Sequence, residues 1–454
     1  MNIVIVGAGA LGFHCAQVLS KEENNVTIVD RDAMALERIS RQIDVATYVG
    51  NPSDWQILEE LTEFRPDCFL ALTDDDQENL NACVVAKNLG YARSVCAIRN
   101  PSYLNCSRLD FARLFYVDHF VCPDLLTMEE IYKCIIRPST IASESFAHGA
   151  VQMRTFLIPQ NWRKSDRKIS DLNLPKGLIL GLICRKGKAN GDERKNKIIF
   201  PHGDDNIFCG DEVTLIGEEQ VLSSAHQLFG ITQHPVKSAL IVGGSKVACE
   251  LIKRLERLGI ESRLIEKDYA KCVALAEELP NSTVLHHDGS DLAFLESEKV
   301  GKADVFVAAT SNDEMNLLVA LLAKEASCPH VIAVMSDSNY IPILKKLGIY
   351  HAISPRICAV NRILSAIQQE KVASIVSLYE NRAEVMEIKV STKSKVTGIP
   401  IMELGPQLPR DFLIAIIQNR GRIMVANGKR ILSPGDTVIA MTHPKHLKAL
   451  KEVF

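Results

Sequence analysis

The 454-residue sequence has no apolar run near the roughly 18 residues that a membrane-spanning helix needs. One of its longer runs, residues 412–417, is strand-sized. Its 13 cysteines are scattered and include no CxxC pair. That pattern argues against a disulfide framework or a zinc site and for reduced, mostly buried thiols. Neither sign of charge dominates: 52 basic and 55 acidic residues give a net charge of -3. A nucleic-acid-binding chain would carry a basic footprint, so no nucleic acid partner is expected. The N-terminal stretch lacks the basic start and cleavage site of a signal peptide and goes straight into Ile3-Val4-Ile5-Val6. A soluble, cytoplasmic chain is expected, with about three or four domains at roughly 100 to 200 residues each. Composition leaves attachment to a membrane protein open.

What the sequence does have is an internal repeat. In residues 1–125, strand patterns at 3–6, 26–29, 45–49, 68–72 and 94–98 alternate with helical patterns at 11–19, 32–41, 55–61 and 79–89. This alternation predicts a doubly wound parallel sheet of the Rossmann type. The order returns about 236 residues later: Ala239 to Val242 matches Ile3 to Val6, Glu266 matches Asp30, Thr310 matches Thr73, Asn316 matches Asn79 and Pro355 matches Pro123. A shorter second repeat, residues 150–218 and 383–442, shows short alternating strands with turn signals. In it, Gly210-Asp211 and Gly435-Asp436 read as tight turns before a last strand. The fold expected is α/β: two Rossmann-like domains at 1–125 and 236–355, each followed by a small α+β module, at 141–225 and 372–454. The polar segment 186–197 reads as a mobile loop. Helices near 129–137 and 360–369 are expected to bridge the two parts of each half.

The chemistry sits at the first βα turn. Gly7-Ala8-Gly9-Ala10-Leu11-Gly12 follows a strand and opens a helix. Gly7 permits the tight turn, Gly9 lets backbone approach a pyrophosphate, and Gly12 lets helix and strand pack closely. The pyrophosphate then lies on the helix N-terminus, whose free N–H groups and dipole favour anions. Asp30, 18 residues beyond Gly12, ends the second strand. Its carboxylate can accept from ribose hydroxyls and would repel a 2′-phosphate, which favours NAD over NADP; the adjacent Arg31 weakens that preference. Thr73 and Asp74 end the fourth strand, on the same carboxyl edge of the sheet, where open α/β sheets bind ligands. The alternative for Asp74 to Asp76 is a solvated loop and helix N-cap. A glycine turn that has lost its ligand is the alternative for the whole motif.

The second copy, Gly243-Gly244-Ser245-Lys246-Val247-Ala248, is altered. Ala248 is tolerated at the third glycine position. Ser245 puts a side chain where the pyrophosphate should approach. Glu266 retains a ribose-binding carboxylate, with Asp288 one strand later and Thr310 at the fourth strand end. NAD(H), ATP or ADP all remain candidates there. No acid–base set of the kind an NAD enzyme needs stands out. His119 and His351 precede the Pro123 and Pro355 turns, and His286 and His287 alternate faces of a strand, so they cannot share one site.

With these residues in place, the whole chain resembles the family of Trk potassium-uptake regulators, built from two RCK-type (regulator of potassium conductance) halves. The resemblance rests on the glycine loop and Asp30, the turn Gly50-Asn51-Pro52-Ser53-Asp54, and the segment Thr73-Asp74-Asp75-Asp76-Gln77-Glu78-Asn79. Glu266, Asp288-Gly289-Ser290-Asp291 and Thr310 to Asn316 answer them in the second half, and Arg422 to Asn427 through Gly435-Asp436 completes the pattern. It implies a non-enzymatic regulatory subunit, peripheral on the inner face of the cell membrane. Such a subunit forms a homo-oligomeric ring, dimer or tetramer, under a membrane-embedded potassium-translocating subunit of the TrkH/TrkG type. NAD(H) would bind in the first half. Two departures stand out: Asn51 replaces a frequent Asp, and Ala97 occupies the place of a phosphate-facing arginine. Arg99, two residues on and on the same strand face, is the candidate substitute. An NAD-dependent oxidoreductase, or a binding protein whose small modules sense another ligand, are the competing readings.

Overall fold

Short segments of three to six residues build the first sheet, and the central ones are apolar and buried on both faces, as parallel strands covered by helices on both sides must be. The elements are β1 (Asn2–Val6), α1 (Ala10–Lys21), β2 (Asn25–Asp30), α2 (Ala33–Ser40), β3 (Ala46–Val49), α3 (Trp55–Glu60), β4 (Cys68–Ala71), α4 (Asp76–Asn88), β5 (Ser94–Ala97), α5 (Phe111–Leu114), β6 (His119–Val121) and α6 (Pro123–Ile136). The strand order is β3-β2-β1-β4-β5-β6, with all neighbours parallel. Aspartates start the helices: Asp32, Asp54 and Asp75 each accept backbone N–H groups of the first turn.

The second copy repeats the first strand for strand. It comprises β7 (Ser238–Val242), α7 (Lys246–Glu256), β8 (Glu261–Glu266), α8 (Tyr269–Glu278), β9 (Thr283–His286), α9 (Leu292–Ser297), β10 (Val305–Ala308), α10 (Asp313–Glu325), β11 (His330–Val334), α11 (Tyr340–Lys346), β12 (His351–Ile353) and α12 (Pro355–Ile367). Its order is β9-β8-β7-β10-β11-β12, again parallel throughout. In both sheets the order reverses at the strand that carries the glycine loop, which is where open α/β sheets bind ligands.

The computed structural model describes the chain except for residues 22–23, 52, 106–107, 186, 188–196, 233, 368–371, 380–381, 393, 405–407, 409–410, 448–449 and 451–452. Most of the expected loop at 186–197, and Pro52 of the 50–54 turn, lie outside the described residues. Two compact units result: Met1–Ile135 with Val236–Ile367, and Ile136–Pro235 with Gln368–Phe454.

In the first unit the helices α6 and α12 change places. Met128, Ile131 and Ile135 of α6 are buried in the core that β7 and α7 form, and Arg254 of α7 lies over the Tyr132 ring. Ala359, Val360 and Ile363 of α12 are buried with Cys15 and Leu19 of α1. This differs from the expectation of a bridge within each half. The apolar stripe on each helix is legible in the sequence; which sheet covers it is not.

The second unit holds two five-stranded antiparallel sheets. One joins Ala142–Phe146, Val151–Leu157, Leu178–Arg185, Lys197–Ile199 and Glu212–Glu218; the other joins Val372–Leu378, Ala383–Lys389, Phe412–Asn419, Arg422–Val425 and Thr437–Thr442. Matched strand for strand, the two have the same order. They share one core, in which Met153 and Ile216 meet Val385 and Ile439. A Cβ on Gly181 would come within 2.3 Å of the Met441 sulfur, so a larger residue there would require the Met441 side chain to shift. The Gly-Asp turns form as expected. Gly210 and Gly435 have φ of 83° and 89°, and the buried Asp211 and Asp436 accept the backbone N–H of Phe208 and Ser433.

Candidate nucleotide sites at the two glycine loops

The first loop turns at Gly7, whose φ is 105°. A Cβ there would sit 2.7 Å from the Leu72 carbonyl oxygen. Gly12 is needed more strictly, because its Cβ would lie 1.9 Å from the Gly7 oxygen. Gly9 differs from both, since a Cβ on it meets no protein atom within 4 Å. Among the described residues nothing packs over Gly9, which leaves open space above the loop. Gly9 has no side chain with which to cap α1, whose first N–H groups have no intrahelical partner.

Asp30 is held against this loop. One carboxylate oxygen accepts the Ala8 N–H at 2.5 Å and the other accepts the Asp32 N–H at 2.8 Å. The Gly50 N–H donates to the Asp30 carbonyl at 2.9 Å, and Asn51 folds back to accept the Ser53 N–H at 3.0 Å. Arg31 pairs with Glu78.

Thr73 is locked. Its N–H and hydroxyl both donate to Asn79 Oδ1, at 2.9 and 2.8 Å. The Asn79 amide donates in turn to the Thr73 and Ala97 carbonyls, each at 3.0 Å. Asn79 is buried and ties the ends of β4 and β5 to α4. Asp74 is exposed and pairs with Arg99. Arg99 does not share a strand face with Ala97, because β5 ends at Ala97. Ala97 itself is buried in the core. The Arg99 and Asn100 N–H groups cap onto Asp76 at 2.7 and 2.9 Å.

The second loop reproduces the frame. Gly243 has φ of 101°. The Gly244 N–H donates to Glu266 at 2.8 Å, and the Asp268 N–H reaches its other oxygen at 3.0 Å. The longer side chain therefore does what Asp30 does. Thr310 and Asn316 form the same latch, at 2.8 and 2.7 Å. At Ser245 the copy diverges. Its hydroxyl accepts the Ala248 N–H at 3.3 Å and caps α7 from within. Lys246, the first residue of α7, is exposed, while Val247 and Ala248 are buried.

A cavity of 260 Å³ opens beside this loop, lined by Gly243, Gly244, Ser245, Glu266, Asp288 and Thr310 among others. Hydrogen bonds from the Ser290 N–H and hydroxyl hold the Asp288 carboxyl below the usual carboxylate range. Asn312 and Met315, from the Thr310 to Asn316 segment, also line the cavity, as do Lys267, Lys271 and His287, which no motif in the sequence marks. His287 stacks on Phe294 at 3.9 Å. The strand ends at His286, so strand alternation does not govern His287; His287 lines this cavity and His286 is not among its lining residues.

The TrkA-N domain model matches residues 3–123 and 239–355, and the TrkA-C domain model matches residues 385–454. Trk system potassium uptake protein TrkA homolog 1 from Methanosarcina mazei is 30% identical over 462 residues, covering all of both chains. The chain belongs to the family of Trk system potassium uptake protein TrkA. Trk system potassium uptake protein TrkA of Haemophilus influenzae is 28% identical, covering 100% of this chain and 98% of its own. Among solved structures, the GsuK RCK domain superimposes with a TM-score of 0.61 at 16% identity, covering 100% of this chain and 94% of that one. The GsuK channel bound to NAD gives 0.62 at 16% identity, covering 100% of this chain and 78% of that one. These structures share the fold. Among the described residues, no helix is long and apolar enough to cross a membrane.

Proposed function

We propose that the chain is a nucleotide-sensing regulatory subunit of a Trk-type potassium uptake transporter. It sits on the inner membrane face as a homo-oligomeric ring and gates a membrane subunit of the TrkH/TrkG type when NAD(H) or another adenine nucleotide binds. The observation that carries this reading is the loop at Gly9: open space and an uncapped helix start beside a carboxylate fixed by the Ala8 N–H. The proposed first site comprises Gly7 to Gly12 and Asp30, with Asn51, Thr73, Asp74 and Arg99 around it. The second comprises Gly243 to Val247, Glu266, Asp288 and Thr310. Arg31 pairs with Glu78 at the surface, while the Asp30 carboxylate would repel a 2′-phosphate, which favours NAD over NADP in the first half. Solved structures of GsuK carry NAD in one case and ADP in another, which supports both as candidates.

Ligand binding gates such a ring only by binding one of its shapes more tightly than the other. Two measurements test the proposal. Calorimetry of the full chain with NAD, NADH, ADP and ATP should show binding, and deleting the protein should change potassium uptake by the host cell. Unaltered uptake overturns the regulatory role, and sustained NADH turnover would make the chain an oxidoreductase instead.

A further inference from the structure

Each exchanged helix runs along the first Rossmann helix of the other half. α12 packs along α1, and its far end is pinned where Arg93 donates to the Ile367 carbonyl at 2.6 Å. Its first turn carries Arg356, half-buried, next to His14, which lies one turn into α1. Burial and the Arg356 charge together hold the His14 ring below its ordinary pKa. Among the described residues, Arg356 has no ion-pair partner. α6 makes the mirrored approach to α7. The residue there is Asp124, one past Pro123 as Arg356 is one past Pro355. Asp124 lies within electrostatic reach of Lys246, at the start of α7, and of Arg99. Burial pushes its carboxyl up, and those two cations oppose that shift.

The exchange is therefore unequal. The first loop has Ala10 where the second has Lys246, and it receives a cation from across the unit. The second loop has its own cation and receives a carboxylate. The last residue of α12 is held at the start of β5, so its first turn lies toward the carboxyl edge of the sheet, where α1 begins. A half-buried guanidinium there, with no ion-pair partner among the described residues, is suited to a phosphate, which it can grip with two parallel N–H donors.

We propose that Arg356 is a specificity residue of the first nucleotide site: supplied by the second half, it holds the phosphate groups of the ligand on the Gly9 loop. In the second site Asp124 offsets Lys246, so that site depends more on ribose and base contacts. The inference rests on the proposed nucleotide site at Gly9. It adds that occupancy of the first site engages the second half through α12.

The test is calorimetric titration of the full chain with ADP at several salt concentrations. The first-site event is identified as the one abolished in Gly9→Val. Arg356→Gln should weaken that event on the order of 10- to 100-fold, the range for a charged hydrogen bond, and flatten its salt dependence. Arg356→Lys should recover part of the affinity. Unfolding midpoints of both variants should stay near the parent value. Unchanged ADP affinity in Arg356→Gln, or equal losses in Gln and Lys, overturns the inference while leaving the site intact. Absence of any Gly9-dependent event in the parent chain overturns the site itself, and the inference with it.

Discussion

The Ser245 hydroxyl accepts the Ala248 backbone N–H at 3.3 Å, so the second half fills with its own side chain the helix start that the first half leaves open at Gly9. A capping serine competes with a pyrophosphate for the same donors. Ser245→Gly should therefore cost only a few tenths of a kcal/mol of stability, since glycine is itself a fair N-cap. It should also raise ADP affinity in the second half. Titrating ADP into a Gly9→Val chain, with the first site silenced, isolates this effect. No gain in affinity would show that the cap does not compete.

The first loop allows the opposite experiment. Gly9 has no protein neighbour for a Cβ, whereas a Cβ on Gly12 would strike the Gly7 oxygen at 1.9 Å. Gly9→Ala should leave the urea midpoint almost unchanged and weaken NAD or ADP binding by about tenfold or more, the cost of displacing a phosphate from a close approach. Gly12→Ala should destabilise the fold by about 1 to 3 kcal/mol, the usual cost of overpacking. If the two variants lose stability equally, the open space at Gly9 is not a ligand's place.

Asp30 gives a related prediction. Its two oxygens hold the Ala8 and Asp32 N–H groups, leaving lone pairs for ribose hydroxyls. Asp30→Ala should weaken NAD binding by roughly tenfold or more, since a charged hydrogen bond and the loop's orientation are both lost. Calorimetry on Asp30→Ala with wild-type affinity would remove Asp30 from the site.

Much of this arrangement is legible in the sequence because it is local. Gly7, Gly9 and Gly12 sit between a strand and a helix at a spacing that backbone geometry demands, and Asp30 ends the next strand. The duplication makes the second frame legible too, including Glu266 in the role of Asp30. What the sequence hides is long-range. The stripe Met128, Ile131 and Ile135 shows that one face of α6 is buried, but nothing in it says that α7 is the cover. Arg356 and Asp124 therefore give no sign in the sequence that they start helices packed on the opposite half. The apolar pattern at 94–98 runs past the end of β5 at Ala97, and counting along it puts Arg99 on a strand face that it does not have. Ser245, an obstruction by its place in the glycine motif, is first of all a cap.

The Asn79 latch predicts a stability effect separable from binding. Asn79 is buried and serves Thr73 and the Ala97 carbonyl with its whole amide. Asn79→Leu leaves several buried polar groups unpaired, at about 1 to 3 kcal/mol for each that finds no water. A loss of about 3 kcal/mol or more is expected in urea denaturation of the full chain. Thr73→Val removes only the hydroxyl and should cost about 1 kcal/mol. If Thr73→Val lowers nucleotide affinity with no loss of stability, Thr73 is a ligand contact rather than part of the latch.

Acid should destabilise the first unit through its histidines. His351 has its Nδ1 buried without a hydrogen-bond partner among the described residues. Burial, reinforced by the neighbouring His330, pushes its pKa down to about 4 from an ordinary 6.5. His14, His119 and His330 are lowered in the same direction, each chiefly by burial. Between pH 6.5 and about 4 the unfolded chain therefore binds protons that the folded chain refuses, so stability rises with pH across that window and is lost on acidification. For His351 alone the shift is worth about 3 kcal/mol. Urea denaturation of His351→Gln at about pH 7.5, 6 and 5 should show a shallower fall than the parent, because one of the refused protons no longer exists. Parallel curves for the two proteins would mean that the His351 ring takes up its proton as easily folded as unfolded.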